Sequence, residues 1–177
     1  MSTQQEEKSV IVMPFARRWR MDILQDMPVM FGFRNHSPQV DDNVQDEFIE
    51  RVHAAAEDFL TAVPDPMTLD YTPRSVDVLD QVLDEVHQGR LALTPMQTVG
   101  AAAYLYEVAR RHYGGWYEVC DDDDPVVLVN GDRESEVCLC AIAKVERRIS
   151  HGEAEALPAF FQRYVRAVNA RVAETIS

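Results

Sequence analysis

A stretch of small and apolar residues runs from Val99 to Ala109 and is interrupted only by Glu107. A helix that is apolar on nearly every side is normally buried on most of them. Recognised end signals flank the stretch, namely an N-cap, a first-turn proline, a capping-box glutamine and a C-terminal glycine (Thr94, Pro95, Gln97 and Gly114). The pattern predicts a buried helix at the centre of the fold.

Apolar residues recur every three or four positions in four further segments, which predicts amphipathic helices. The segments are 43–62, 72–88, 137–149 and 157–172. Thr72 and Pro73 are interpreted as the cap and first-turn proline of the second of these helices, and Gly89 and Gly152 as helix ends. Leu139, Ile142, Val145 and Ile149 would form the buried stripe of the third.

After Gly115 the pattern changes to that of strands, with predicted strands at 116–120 and 126–129 joined across an acidic loop. Asn130-Gly131 predicts a tight turn that could fold a further short strand onto the second one. Nearer the N-terminus, residues 10–13 read as a short strand, residues 29–33 as a second short strand or a loop, and residues 1–8 as a disordered tail. The fold prediction is one mainly helical α+β domain over residues 1–177, with a small antiparallel sheet.

The composition narrows the class of protein. The hydrophobic fraction of 46% is ordinary for a globular chain, and no apolar run approaches the ~20 residues of a membrane span. Residues 1–9 lack the basic-then-apolar order of a signal peptide. The three cysteines form no C-x-x-C pair, which is typical of a reducing compartment. We therefore expect a cytoplasmic protein that contacts no membrane.

The net charge of −13 is the main anomaly, and it argues against binding nucleic acid through phosphates. Acids dominate residues 41–85, where Arg51 and Arg74 are the only lysine or arginine residues. An ordinary solvated surface explains this distribution, and so does a face that binds a basic protein. The residues named for such a partner are Asp77, Asp80, Asp84, Asp121, Asp122, Asp123 and Asp124.

Glu107 is the one acid within the apolar part of the central helix. A buried carboxylate is costly unless it is paired, and Arg110 and Arg111 lie three and four residues later, where they can form a local ion pair. The alternative is a carboxylate facing a ligand pocket. The residues named for that pocket are Tyr104, Glu107, Trp116 and Tyr117.

The sequence contains no catalytic or cofactor motif that nominates a site. Asp121–Asp124 lacks the ligand spacing of a calcium loop and reads as a solvated hairpin tip, and the scattered histidines do not suggest zinc. Gly114-Gly115 follows a helix C-terminus, where phosphate is repelled. Cys138 and Cys140, placed on a helix, would point to different faces as ordinary buried residues. No catalytic residue, metal or cofactor is predicted.

Several stretches resemble small bacterial families of unknown function. Residues 69–73 are similar to an "LDYSP" pattern, 100–108 to "GAYLGEV", 114–116 to "GG-W" and 144–152 to "KR-x-x-x-G". The resemblance covers roughly residues 68 to 170 and departs at Tyr106, where the pattern has glycine. Some similar small acidic proteins look like immunity proteins, which neutralise a toxin by binding it.

Three functions follow as hypotheses. The leading one is a non-enzymatic acidic protein that binds a basic partner, as an immunity or inhibitor protein does. The second is a small-molecule-binding module, or an enzyme, with a pocket near the central helix. The third is self-association through the aromatic C-terminal helix.

Overall fold

The computed structural model describes residues 42–120 and 124–177. These ranges hold five α-helices, four β-strands and two short 3₁₀ helices. The helices are α1 (Asp42–Ala62), α2 (Ser75–His87), α3 (Pro95–Tyr113), α4 (Ile142–His151) and α5 (Leu157–Ala170). The strands are β1 (Trp116–Val119), β2 (Val126–Asn130), β3 (Val137–Leu139) and β4 (Glu174–Ile176), and the 3₁₀ helices are Pro66–Thr68 and Gly152–Glu155.

The predicted central helix is α3, and both of its predicted ends are confirmed. Gln97 N donates to Thr94 Oγ1 at 3.2 Å, and Thr94 N donates to Gln97 Oε1 at 2.9 Å, which completes the capping box. Gly114 ends the helix at a φ of 76°. All residues from Val99 to Ala109 are buried. The helix thus forms the axis around which the other elements pack.

α1 packs closely against α3. A Cβ built on Gly100 would lie 2.4 Å from the carbonyl oxygen of Ala55 and 2.8 Å from Phe59 Cβ. Glycine at this position therefore lets the two backbones approach. α1 also reaches the sheet, because the Gln45 amide bonds the backbone nitrogen and oxygen of Tyr117 at 2.9 and 2.8 Å. Gln45 in this way satisfies backbone groups of β1, which lies at the edge of the sheet.

The predicted α+β class is confirmed, and the sheet is mixed. Its strand order is β1-β2-β3-β4. The first three strands are antiparallel, with Tyr117 opposite Leu128 and Leu128 opposite Leu139. β4 pairs with β3 in parallel and places Thr175 opposite Cys138. This last strand was not predicted, because three residues after a helix carry too little pattern to indicate a strand.

Two helix starts were predicted too early. The segment predicted as one helix from residue 137 contains β3 first, and α4 begins only at Ile142. Cys138 and Cys140 therefore contribute to one cluster on the same side of the sheet, instead of pointing to different faces of a helix. α2 begins at Ser75 rather than after Thr72, with Arg74 at the N-cap position. The further short strand after Asn130-Gly131 is confirmed as β3.

The two faces of the sheet have different neighbours. Alternate side chains such as Val126, Leu128 and Leu139 join the main core with the helices. The intervening residues Val127 and Val129 belong to a second apolar cluster. The other members of that cluster are Trp116, Cys120, Cys138 and Cys140.

None of the described helices is long and apolar enough to cross a membrane. Three predictions lie outside the described residues: the strand at 10–13, the strand or loop at 29–33 and the tail at 1–8. The single-domain prediction over residues 1–177 likewise stays a prediction.

Candidate functional site

Glu107 lies at the centre of a buried ion-pair cluster. Its side chain is 1% exposed, and its two oxygens accept from Arg110 Nε at 2.8 Å and from Arg111 Nε at 3.0 Å. Arg110 Nη2 adds a second bond at 3.1 Å. The Tyr117 hydroxyl donates to Oε1 at 3.1 Å. The local ion pair that the three- and four-residue spacing predicts is therefore present, with three hydrogen bonds from the two arginines. Tyr117 on β1 supplies a fourth hydrogen bond to the same carboxylate.

The electrostatics of this cluster favour a charged carboxylate. Burial raises the pKa of Glu107, but the hydrogen bonds and charges of Arg110 and Arg111, with the Tyr117 hydroxyl, outweigh it, so the pKa lies below its ordinary value of 4.5. Burial beside this carboxylate raises the pKa of Tyr117 well above its ordinary value. Glu107 is therefore an ionised acceptor and Tyr117 a neutral donor.

Tyr104 belongs to a second polar cluster at the start of α2. Its hydroxyl accepts from Tyr71 N at 2.9 Å and lies 2.6 Å from Ser75 Oγ, which itself donates to the carbonyl of Thr72. The rings of Tyr71 and Tyr104 stack with centroids 4.6 Å apart. The Arg111 guanidinium lies 3.8 Å from the centroid of the Tyr71 ring. These contacts hold Tyr71 at a φ of 60°, which is unusual for a residue with a side chain.

The four residues named for a ligand pocket lie in three different environments. Glu107 and Tyr117 bond each other, whereas Tyr104 bonds the residues before α2. Trp116 joins the second apolar cluster on the other face of the sheet and donates to Glu118 at 2.8 Å. Tyr104, Glu107 and Tyr117 are at most 2% exposed. A ligand at these residues stays a prediction, which this packing does not favour.

The acids named on α2 have two different environments. Asp80 accepts from Arg148 Nε at 2.9 Å and from the backbone nitrogen of Leu157 at 2.8 Å, and Asp84 accepts from Arg148 Nη2 at 3.1 Å. Arg148 is 2% exposed, so these acids compensate a buried charge. Asp77 is exposed. Of the three, Asp77 is the acid that a partner can reach without disrupting an ion pair.

Asp124 is a structural residue rather than part of a solvated loop tip. It is 6% exposed, and its Oδ1 accepts from the backbone nitrogens of Ile142 at 2.7 Å and Ala143 at 3.0 Å. These are first-turn donors of α4, which have no partner within the helix. Asp124 thus caps a helix distant in sequence. Asp121, Asp122 and Asp123 lie outside the described residues.

The capping role predicts a stability effect for Asp124. We expect Asp124→Ala to lower the free energy of unfolding by about 1–2 kcal/mol, because two helix donors lose their acceptor. Asp124→Asn keeps an acceptor and should cost less. Denaturant unfolding measures both, with Asp77→Ala as an exposed control expected within about 0.5 kcal/mol of wild type. Unchanged stability of Asp124→Ala would contradict the capping role.

A group of five exposed acids lies on α1, on a surface that the site prediction did not single out. We call it the acidic face of α1, and its members are Asp46, Glu47, Glu50, Glu57 and Asp58, all exposed. At about 100° per residue, these positions fall within roughly one third of the helix circumference. The sequence offered one indication of this surface, namely acids that recur at helical spacing opposite the apolar stripe of α1.

Two of these five acids have protein partners. Glu47 pairs with Arg51 at 2.5 Å, and Glu57 accepts from the Tyr71 hydroxyl at 2.7 Å. Within the part of the chain that the structure describes, Asp46, Glu50 and Asp58 have no side-chain ion pair. These three carboxylates lie on a single face, and no described residue neutralises their charge.

Within 42–120 and 124–177, no three His, Cys, Asp or Glu side chains are gathered as a metal ion would need. No disulfide links Cys120, Cys138 and Cys140, which all lie within the described ranges. Burial raises the pKa of Cys138 to about 12, so this thiol is protonated and a weak nucleophile at neutral pH.

Comparisons with protein-family models, with curated proteins and with solved structures found no match. The resemblance to small bacterial families, and to immunity proteins among them, therefore stays a prediction.

Proposed function

We propose that the protein is a non-enzymatic binding protein whose acidic face of α1 docks a basic protein partner. The observation that carries the proposal is that Asp46, Glu50 and Asp58 are exposed on one helix face and form no ion pair with another described residue. Residues 46 to 58 extend over about 18 Å of helix, which is long enough to meet several basic side chains. The net charge of −13 adds long-range attraction toward a cationic protein and opposes binding to nucleic acid.

The buried titratable groups support a binding role over a catalytic one. Glu107, Asp80 and Asp124 each bond groups that the fold needs to satisfy, and each is shielded from solvent to a large degree. Exposed charges, in contrast, can steer a partner and raise its association rate without a preformed cavity. An acidic inhibitor or immunity protein works through such a surface, and we extend the proposal to that class.

We also propose a cytoplasmic location, because a reducing compartment keeps cysteines that form no disulfide in the thiol state. Capture of partners from lysate of the source cells tests the proposed binding function. Tagged wild type is compared at low and high salt with a variant carrying Asp46→Lys, Glu50→Lys and Asp58→Lys. We expect wild type to recover one basic protein in stoichiometric amount, and both high salt and the triple substitution to abolish that recovery.

A charge-matched control separates the face from the net charge. Asp65→Lys, Glu134→Lys and Glu153→Lys change the charge equally at exposed positions away from α1, and this control should retain the partner. Asp77→Lys tests the α2 acid separately. Equal recovery by wild type and the α1 variant would overturn the role of this face. Recovery of no specific protein at low salt would overturn the function. A recovered toxin or enzyme is then assayed for inhibition by the purified protein.

A further inference from the structure

A groove of about 400 Å³ lies between the end of α3, the residues before α2 and the outer side of α5. We call it the α5 groove, and it is lined by Pro73, Tyr113, Phe161, Gln162, Val165 and Arg166. Its volume falls within the range of small-molecule sites, which is about 300–1,000 Å³. It shares no residue with the acidic face of α1 or with the Glu107 cluster.

The floor of the groove is apolar and firmly supported. Phe161 is 4% exposed, and its ring meets that of Tyr113 at 6.3 Å in an edge-to-face arrangement. Tyr113 in turn meets the fully buried ring of Tyr164 at 6.0 Å. Val165 packs partly against the same core. A rigid aromatic floor of this kind favours a flat or aliphatic ligand body.

The polar groups of the groove favour a negative charge. Arg166 is exposed and forms no ion pair within the described ranges, whereas Arg163 on the same helix bonds Glu174 at 2.6 Å. Gln162 lies one turn before Arg166 and supplies an amide donor. None of the six lining residues is acidic. The Tyr113 carbonyl already accepts from Asn130 Nδ2 at 2.6 Å.

From this geometry we infer that the α5 groove binds a small organic carboxylate with an aryl or alkyl body. The body packs on Tyr113, Phe161 and Val165. The carboxylate accepts from the Arg166 guanidinium and the Gln162 amide, which are the donors that suit a planar anion. The net charge of −13 does not by itself attract an anion, so selectivity for an anion depends on the local guanidinium of Arg166, which forms no ion pair within the described ranges. The inference is independent of the proposed protein partner.

The inference is tested by titrating 4-phenylbutyrate into the full ¹⁵N-labelled chain and monitoring the backbone amide signals by NMR. A ligand of this size is expected to bind with a Kd of about 1 mM and to shift the amides of Tyr113, Phe161 and Val165. Two analogues with the same body accompany it, the neutral 4-phenylbutanamide and the cationic 4-phenylbutylamine. Both are expected to bind about tenfold more weakly, because neither offers an anion to Arg166.

Two substitutions connect the charge preference to one residue. Arg166→Gln should raise the Kd for 4-phenylbutyrate about tenfold, so that the acid no longer binds more tightly than 4-phenylbutanamide. Arg166→Lys should keep part of the preference for the acid, because it keeps the positive charge. Arg133→Gln is the control, since it removes an equal charge from the exposed β2–β3 connection and should leave the Kd unchanged.

Three results would overturn the inference. The first is equal binding of the acid, amide and amine, which would make the groove merely apolar. The second is an unchanged Kd in Arg166→Gln, or the absence of shifts in the groove at 10 mM acid. The third is a concentration-dependent shift of the same groove amides without any probe, because the α5 groove would then be a contact between two copies of the chain.

Discussion

We expect Glu107→Ala to lower the free energy of unfolding by about 3 kcal/mol, near the lower end of the 3–5 kcal/mol typical for breaking a buried ion pair. The substitution removes the acceptor of two guanidinium groups and of the Tyr117 hydroxyl. Arg110 and Arg111 remain 24% and 35% exposed, so water compensates part of the loss. Denaturant unfolding at neutral pH measures the effect.

The pH dependence identifies the carboxylate as the cause. The pKa of Glu107 is lower in the folded protein than its ordinary value of 4.5. Its ionisation therefore stabilises the fold above the unfolded-state pKa, and this contribution is lost as the pH falls through the folded-state pKa. The difference in stability between wild type and Glu107→Gln should thus be largest near pH 7 and should shrink below pH 4.5.

Glu50→Gln is the matched control for these variants. Glu50 is an exposed carboxylate on α1, and its replacement should change the stability by no more than about 0.5 kcal/mol at either pH. Wild-type stability in Glu107→Gln, together with the loss of a bound ligand, would contradict the structural role. This result would instead support the hypothesis that Glu107 faces a ligand pocket.

Gly100→Ala should destabilise the protein by about 2–3 kcal/mol through steric overlap between α1 and α3. The added Cβ would lie 2.4 Å from the Ala55 carbonyl oxygen and 2.8 Å from Phe59 Cβ, and neither atom can rotate away. At an exposed helix position the same change would stabilise by about 1 kcal/mol, because alanine has the higher helix propensity. The sign of the measured change therefore reports the close approach.

A second variant tests that explanation of the Gly100 effect. Ala55→Gly removes a side chain but leaves the carbonyl oxygen that the new Cβ would meet. The double variant Gly100→Ala/Ala55→Gly should therefore show no rescue in thermal or denaturant unfolding. Recovery of wild-type stability would show that the contact is between side chains and that the backbones can separate.

Local signals in the sequence predicted the helices well where the deciding contacts are close in sequence. The capping box of α3 links Thr94 and Gln97, and the ion pair of Glu107 links residues three and four apart. Both depend on helix geometry alone, so spacing is enough to indicate them. The apolar stripe of α1 was visible for the same reason, and the acids opposite it form the acidic face of α1.

The segment from residue 137 shows where local patterns mislead. Leu139, Ile142, Val145 and Ile149 have helical spacing, yet Val137–Leu139 forms a strand because it completes the ladder between β2 and β4. A three-residue segment has little intrinsic preference, so pairing partners decide its conformation. β4 is likewise a strand because it pairs with β3. That pairing joins two segments that are distant in sequence, so neither segment indicates it alone.

The sequence by itself determined the class of fold, the buried central helix with its two ends, the excess of acid and the local partners of Glu107. Tertiary structure alone decided which acids are available. Asp80 and Asp84 compensate Arg148 from a helix more than sixty residues away in sequence, and Asp124 caps α4. Asp46, Glu50 and Asp58 form no ion pair with any other residue that the structure describes. The physical reason is that a charge is neutralised by whatever the fold places within a few ångströms of it, and that distance is set by the packing of the whole chain.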